Sequence, residues 1–239
     1  MSNKDSPCII FGGSSGIGLS IANFLISKEI KVISVSRNHS KLKSNNLLTN
    51  IKLDLFGDSE EIINCFERNK NKFINPYAII YSVANPCNFK SLIEIPDKAF
   101  IDSFKISTLG LHIYLSWLIS SFKNIKQKNK LNVIVISSQS ANKRSPYSSA
   151  EYSVSKAAQL SISRYYSFYL QEKNLGRLNI LTPGLVNTPL SKNVLGESFL
   201  EKNNYLKTSD LHSTIDFLLN DTNISGSEIS VSGGFDTTF

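Results

Sequence analysis

A glycine-rich turn separates the first apolar run of this chain from its first helical pattern. Residues 12–18 read Gly-Gly-Ser-Ser-Gly-Ile-Gly, after Cys8–Phe11 and before the amphipathic stretch Leu19–Ser27. This order predicts a strand, a tight turn and a helix, because glycine adopts turn conformations that a Cβ would penalise. The N–H groups at a helix N-terminus are unpaired and that end is partly positive, so we expect an anionic diphosphate to bind there. The turn alone is a weak signal, since such spacing also occurs by chance.

Tyr152 and Lys156 lie four residues apart at the start of a helical pattern that runs to about Glu172. This spacing places both side chains on one helix face. A lysine ammonium beside a phenol favours the phenolate, so we expect Lys156 to lower the Tyr152 pKa from about 10 toward neutrality. Such a phenol transfers a proton to or from a carbonyl or hydroxyl oxygen near pH 7. The alternative is that the pair shares a solvated face, but Ser137-Ser138 at the end of an apolar run favours a catalytic site.

With these motifs the chain resembles the short-chain dehydrogenase/reductase family, from Cys8 to about Phe235. The resemblance implies one doubly wound α/β domain, a nicotinamide cofactor, and hydride transfer to or from a carbon that bears oxygen. It rests on Gly12-x-x-x-Gly16-x-Gly18, Asp54, Ser138 with Tyr152 and Lys156, Pro183-Gly184-Leu-Val-Asn-Thr188, and Ser225-Gly226 with Gly233-Gly234.

Short apolar runs alternate with longer helical patterns, which predicts βαβ units and a parallel sheet. Runs that are apolar on both faces, such as residues 133–136, suit the middle of a sheet that helices cover on both sides. We therefore predict an α/β fold, a single doubly wound Rossmann domain over residues 1–239 with a seven-stranded parallel sheet. The predicted strands are Cys8–Phe11, Lys31–Ser36, Asn50–Leu53, Ala78–Val83, Asn132–Ser137, Arg177–Thr182 and Glu228–Val231.

The polar segment 189–208 interrupts this alternation directly after the Pro-Gly turn. In the resembled family this place holds the segment that covers the substrate, and a mobile lid excludes water during chemistry. A plain surface excursion is the alternative. The larger apolar side chains of the segment suit an apolar or mixed substrate, and they are Val194, Leu195, Phe199, Leu200 and Tyr205.

Length and composition fit one soluble α/β domain. The 239 residues are 41% hydrophobic and 19% charged, and they lack the run of about 20 apolar residues that spans a bilayer. Residues 1–7 lack the apolar core of a signal peptide, so we expect a cytoplasmic protein. Cys8, Cys65 and Cys87 lack zinc-site spacing, and the net charge of +7 is scattered rather than gathered into a basic and aromatic stripe. We therefore expect no metal, no nucleic acid and no membrane partner.

The end of the second predicted strand indicates which dinucleotide binds. An acidic residue there would accept hydrogen bonds from the ribose 2′-hydroxyl, whereas this chain has Ser36 followed by Arg37. A guanidinium binds a 2′-phosphate and stacks on adenine, so NADP(H) is favoured over NAD(H). His39 and Lys41 could add to this phosphate site. The alternative is that Arg37 is simply a surface residue.

The resemblance assigns further contacts with the cofactor. Asp54 matches the position that meets the adenine edge, and Thr188 matches a hydroxyl near the pyrophosphate and carboxamide. For both, a turn or cap residue is the alternative. The full predicted cofactor-binding set is Gly12, Ser14, Ser15, Gly16, Ile17, Gly18, Arg37, Asp54, Leu55, Val83, Ala84, Tyr152, Lys156, Pro183, Gly184, Val186 and Thr188.

Four residues are candidate catalytic residues by the same resemblance. Ser138 would hydrogen-bond the substrate oxygen, with Ser140 as the alternative. Tyr152 would transfer the proton, and Lys156 would tune Tyr152 and hold the nicotinamide ribose. Ser107 stands where the family usually has the Asn of a proton relay, and a serine hydroxyl still suits a water of that relay.

Two departures from the family pattern leave alternatives open. Tyr81-Ser82-Val83-Ala84 replaces Asn-Asn-Ala-Gly, and Ser107 replaces Asn, both as in enoyl-thioester reductases of the same superfamily. Those enzymes usually separate their Tyr and Lys by seven positions, whereas this chain keeps four. We therefore predict an NADP-dependent oxidoreductase that interconverts a carbonyl and a secondary alcohol, similar to a 3-oxoacyl-thioester reductase or another ketone reductase. The alternatives are an enoyl-thioester reductase and a non-catalytic NADP-binding sensor or partner protein.

The helices predicted over Asp102–Phe122 and Tyr152–Glu172 carry more aromatic side chains than one buried face requires. Large aromatics on an outer face suggest a subunit interface, so we predict a homodimer or homotetramer. The aromatics in question are Tyr114, Trp117, Tyr165, Tyr166, Phe168 and Tyr169.

Overall fold

The computed structural model describes residues 6–39, 44–85, 91–122, 129–143, 148–196, 205–221 and 223–233. Within these ranges all seven predicted strands form, with ends that differ from the prediction by at most a few residues. They are β1 (Cys8–Phe11), β2 (Val32–Ser36), β3 (Leu48–Lys52), β4 (Ala78–Tyr81), β5 (Leu131–Ile136), β6 (Gly176–Pro183) and β7 (Glu228–Val231). They form one seven-stranded sheet in the order β3-β2-β1-β4-β5-β6-β7, and every neighbouring pair is parallel.

The helices cover both faces of this sheet. They are α1 (Gly16–Ser27), α2 (Ser59–Arg68), α3 (Lys70–Phe73), α4 (Asp97–Phe104), α5 (Gly110–Ser121), α6 (Ala150–Glu172), α7 (Pro189–Leu195) and α8 (His212–Asn220). Short 3₁₀ turns occur at Leu92–Glu94, Gln139–Ala141 and Thr208–Leu211.

Strand β1 shows how the two faces are filled. Ile9 and Phe11 point into the core with α2, α3, α5 and α6, while Cys8 and Ile10 point into the core with α1 and α8. Because successive side chains of a strand face opposite sides, a strand buried on both faces must be apolar throughout. The topology and the helices on both faces confirm the predicted doubly wound α/β fold.

The helix predicted over residues 102–122 is interrupted by a π turn at Lys105–Leu109, between α4 and α5. The turn is bonded to the sheet, since the Tyr81 hydroxyl at the end of β4 donates to the Ile106 carbonyl at 2.5 Å. A Cβ on Gly110 would lie 2.5 Å from that hydroxyl oxygen, so glycine leaves room for the bond. A π turn adds one residue to a helical turn, and a hydropathy pattern does not reveal such a single added residue. Turns of this kind often occur at functional sites.

Tyr114 and Trp117 correct part of the oligomer prediction, because both are buried in the core rather than exposed on the outer face of α5. The Tyr114 ring lies 4.6 Å from the Phe11 ring between centroids, and the Trp117 indole N–H donates to Glu67 at 2.7 Å. The prediction of a homodimer or homotetramer therefore rests on the solvent-exposed aromatics of α6, which are Tyr165, Phe168 and Tyr169.

Two of the three cysteines lie in described parts of the chain, and both are buried free thiols. Burial raises the pKa of Cys8 and of Cys65, which disfavours a reactive thiolate at either position. Cys87 lies outside the described residues. Within the described ranges, groups of three or more His, Cys, Asp or Glu side chains suited to a metal ion do not occur, and every helix is too short or too polar to traverse a bilayer.

Tyr81 and Tyr114 are both fully buried but differ in hydrogen bonding, and we expect them to respond differently to loss of the hydroxyl. Tyr81→Phe removes the donor to the Ile106 carbonyl and should destabilise the fold by about 1–3 kcal/mol. The Tyr114 hydroxyl has no hydrogen-bond partner among the described residues, so Tyr114→Phe should leave the free energy of unfolding within about 0.5 kcal/mol of wild type or raise it. Urea unfolding at pH 7 measures both, and equal losses would contradict this reading.

Candidate active site

The glycine turn borders a cavity of about 380 Å³ at the carboxyl ends of the strands. In open parallel sheets this edge binds ligands. The predicted residues that line the cavity are Gly12, Ser14, Ser15, Gly16, Ile17, Arg37, Asp54, Leu55, Val83, Ala84, Tyr152, Lys156 and Thr188. Residues from six separate segments of the sequence therefore meet around one space.

Gly12 and Gly18 allow α1 to pack directly against the strands. Gly12 has a φ of +80°, and a Cβ there would lie 2.4 Å from the Ser82 carbonyl oxygen. A Cβ on Gly18 would lie 2.3 Å from the Gly12 carbonyl oxygen. The N-terminus of α1 consequently faces the cavity, where its unpaired N–H groups suit a pyrophosphate. The residues present fit a nicotinamide dinucleotide.

The adenosine end of the cavity is bordered by the segments after β2 and β3. The Arg37 guanidinium lies 5.3 Å from the Phe56 ring centroid, and both residues line the cavity. Asp54 is exposed, and its carboxylate accepts a hydrogen bond from the Phe56 backbone N–H at 3.0 Å. The ring of His39 instead contacts a backbone carbonyl of β2 at 3.2 Å, and Lys41 lies outside the described residues.

Lys156 carries the buried cation of the site, and 2% of the residue is exposed. Its Nζ donates to the backbone carbonyls of Val83 and Ile136 and to Oε1 of Gln159, each at 3.0 Å. Burial lowers the pKa of Lys156 to about 7, while the three oxygens favour the ammonium form. Burial and the three oxygen partners therefore act in opposite directions on the protonation of Lys156.

The structure corrects the predicted effect on Tyr152. Burial raises the pKa of the Tyr152 hydroxyl, and a hydrogen bond from Ser138 opposes this rise. The Lys156 Nζ lies 5.9 Å from the Tyr152 ring centroid and is bound to other oxygens, so desolvation outweighs the attraction of the ammonium for a phenolate. The Ser138 hydroxyl also lies 2.8 Å from that of Ser140, which places both candidate serines in one hydrogen-bonded pair.

Ser107 lies behind Lys156 rather than at the cavity. It is fully buried in the π turn, and its hydroxyl has no partner among the described residues. Its backbone carbonyl accepts the Gln159 amide N–H at 2.7 Å. Sequence reasoning missed Gln159, whose signal is a polar residue three positions after Lys156, on the same side of the helix.

Some predicted cofactor residues do not line the cavity. Thr188 does line the cavity, and its hydroxyl also caps α7 by accepting a hydrogen bond from the Ser191 N–H at 3.2 Å. Val186 forms an isolated bridge with Leu206 instead. The predicted cofactor-binding positions outside the cavity lining are Gly18, Pro183, Gly184 and Val186. Of the candidate catalytic residues, Ser107 and Ser138 also lie outside it, although Ser137 lines it.

Several lining residues were absent from the prediction, although most lie at strand ends, where a parallel sheet binds ligands. In the segment 189–208, Pro189 and Leu190 line the cavity, while Phe199 and Leu200 lie outside the described residues. The lining residues missing from the predicted cofactor-binding set are Val35, Ser36, Asn38, Leu53, Phe56, Ser82, Ile106, Ile136 and Ser137, together with Pro189 and Leu190 of the predicted lid segment.

Comparison with known proteins agrees with this geometry. The family model described as short chain dehydrogenase matches residues 7–197. The chain therefore belongs to the short-chain dehydrogenase family, as predicted, and is an oxidoreductase that acts on a CH–OH/C=O pair. It has the nucleotide-binding fold of that family.

The similar proteins have low sequence identity to this chain. The 3-oxoacyl-[acyl-carrier-protein] reductase of Mus musculus is 24% identical, covering 98% of this chain and 99% of the relative. A 4-hydroxyisoleucine dehydrogenase complexed with NADH has a TM-score of 0.83 at 22% identity, covering 96% of this chain and 98% of the other. ElxO with NADP bound has a TM-score of 0.81 at 18% identity, with coverage of 96% and 98%. Solved structures of this fold therefore hold either dinucleotide.

The buried lysine predicts a pH dependence of stability. The Lys156 pKa is about 7 in the folded protein and about 10.4 in an unfolded chain. Between these values the unfolded state binds a proton that the folded state does not, so Lys156 makes the free energy of unfolding rise with pH, by up to about 1.4 kcal/mol per pH unit. We expect the free energy of unfolding of wild type, minus that of Lys156→Met, to increase from pH 7 to pH 10 when both are measured by urea unfolding. Parallel curves for the two proteins would contradict it.

Proposed function

We propose that this protein is an NADP(H)-dependent reductase or dehydrogenase that interconverts a carbonyl and a secondary alcohol through Ser138, Tyr152 and Lys156. One observation carries the proposal: Tyr152 lines the same cavity as the nearly buried Lys156 and the glycine turn. A proton donor thus borders the same space as the dinucleotide-binding turn.

Tyr152 acts as the general acid when a carbonyl is reduced. Because burial raises its pKa, the phenol is protonated at neutral pH and can donate its proton to the substrate oxygen. Ser138 donates a hydrogen bond to the same oxygen, where negative charge develops in the transition state. The nicotinamide cofactor, when bound, supplies or accepts the hydride.

Lys156 stabilises the negative charge that forms on Tyr152 as its proton leaves. Its ammonium is fixed by three oxygens, so it is already oriented before the reaction and needs little reorganisation. Proton release from Tyr152 brings a charge close to this cation, which offsets part of the desolvation cost of a phenolate.

Arg37 supports the preference for NADP(H). It lies at the carboxyl end of β2, where an acidic residue would favour NAD(H), and its guanidinium borders the cavity beside Phe56. A planar guanidinium binds phosphate oxygens through two parallel hydrogen bonds. We also propose that residues 189–208 cover the substrate, since Pro189 and Leu190 already line the cavity.

The first test is turnover. We expect NADPH consumption with at least one carbonyl in a panel of 3-oxoacyl thioesters, diketones, quinones and keto-sugars, with enoyl thioesters in parallel. The name of the mouse relative makes 3-oxoacyl thioesters the first class to try. Tyr152→Phe should lower kcat by about 10²–10⁴-fold, because the general acid is lost.

Tyr165→Phe is the matched control, since this tyrosine lies on the same helix and is 74% exposed. It should keep wild-type turnover. If the protein reduces enoyl thioesters and no carbonyl compound, it is a double-bond reductase and the proposal is wrong. Tight NADPH binding without turnover of any compound would favour the sensor.

Cofactor choice is tested by binding. Arg37→Ala should weaken NADPH binding by about tenfold to a hundredfold, because one charge-assisted phosphate contact is lost, and should leave NADH binding nearly unchanged. Fluorescence titration with both dinucleotides measures the two dissociation constants. Arg68→Ala serves as control, because this exposed arginine of α2 does not line the cavity. An equal effect of Arg37→Ala on both dinucleotides would show that Arg37 does not select NADP(H).

A further inference from the structure

Gln159 joins Lys156 to the π turn. Its amide nitrogen donates to the Ser107 carbonyl at 2.7 Å, and its amide oxygen accepts from the Lys156 ammonium at 3.0 Å. Gln159 and Ser107 are fully buried, and Lys156 is nearly so. Both ends of one amide are therefore used, in a place where water does not compete for either hydrogen bond.

The two partners fix which way the amide faces. The Ser107 carbonyl only accepts hydrogen bonds, so the NH₂ group must face it, and the amide oxygen must then face Lys156. A neutral oxygen orients an ammonium without the strong attraction of a carboxylate. It therefore holds the lysine in place and leaves its charge free to act on Tyr152.

We propose that Gln159 is a positioning residue, which fixes the Lys156 ammonium by tying it to the backbone of the π turn. The proposal rests on the proposed function of Lys156. It assigns a purpose to the π turn, whose carbonyl at Ser107 provides the anchor 52 residues away in the sequence.

Each element around Lys156 contributes a different group to its environment. Its own helix, α6, brings the titratable phenol of Tyr152 and the amide of Gln159. The ends of β4 and β5 bring the neutral carbonyls of Val83 and Ile136. A change at Gln159 thus alters one of three oxygen partners and leaves the other two in place.

The test is direct observation of Lys156 by NMR of protein labelled with ¹³C and ¹⁵N at lysine, titrated between pH 5 and 11. Lys156→Met assigns the signal. In Gln159→Leu the Lys156 titration should shift down by about one pH unit, because the ammonium loses an acceptor. In Gln159→Glu it should shift up by about one unit or more, because a carboxylate favours the ammonium.

Leu160→Ala is the matched control, since Leu160 is the neighbouring buried residue of α6 and lies outside this hydrogen-bond network. It should lower the free energy of unfolding without moving the Lys156 titration. If Gln159→Leu fails to fold, Gln159→Glu still gives the upward shift, because it loses the donor to the Ser107 carbonyl but places a carboxylate oxygen beside the Lys156 ammonium.

A kinetic measurement gives the second readout. With a carbonyl that wild type reduces, Gln159→Leu should lower kcat about tenfold with little change in KM, because Lys156 acts as Tyr152 loses its proton. A Lys156 titration that is unchanged in both Gln159 variants would overturn the inference, whether or not the protein turns over any substrate. Wild type without turnover would reject the proposed function alone, since the titration does not depend on activity.

Discussion

The Lys156 ammonium is buried in this fold, and the arrangement around it depends on its three oxygen partners. An isolated buried ammonium would cost several kcal/mol or lose its proton, so the oxygens offset a large desolvation penalty. They come from the ends of β4 and β5 and from α6 itself. A shift of the helix by one residue would move the cation away from the two carbonyls at the strand ends, Val83 and Ile136. The contacts that hold α6 in register therefore also orient the site.

The same burial sets the protonation state of the neighbouring phenol. In the cavity at the carboxyl ends of the strands, desolvation raises the Tyr152 pKa and lowers that of Lys156, so it acts against the charged form of each group. A developing charge on either group then has more effect on the other than it would in water. For the proposed carbonyl reduction, this favours a phenol that holds its proton until the substrate oxygen takes it.

Much of this architecture could be predicted from local patterns. Runs such as residues 133–136 are apolar on both faces, and only the interior of a covered parallel sheet buries both. The glycines of the first turn are demanded by backbone contacts, as at Gly12, where a Cβ would meet the Ser82 carbonyl at 2.4 Å. The spacing of Tyr152 and Lys156 places them on one helix face by geometry alone. These features follow from residues close together in sequence.

The rest depends on contacts between distant parts of the chain. A glutamine on an amphipathic helix is typical of a solvated face, yet Gln159 is buried and donates to the Ser107 carbonyl. That carbonyl lies in a π turn, which a hydropathy pattern does not reveal. Likewise, the sign of the Tyr152 pKa shift depends on how much solvent the fold removes, and the spacing to Lys156 does not report that quantity. Local patterns thus identify which groups can react. Long-range hydrogen bonds and burial decide in which protonation state they do so.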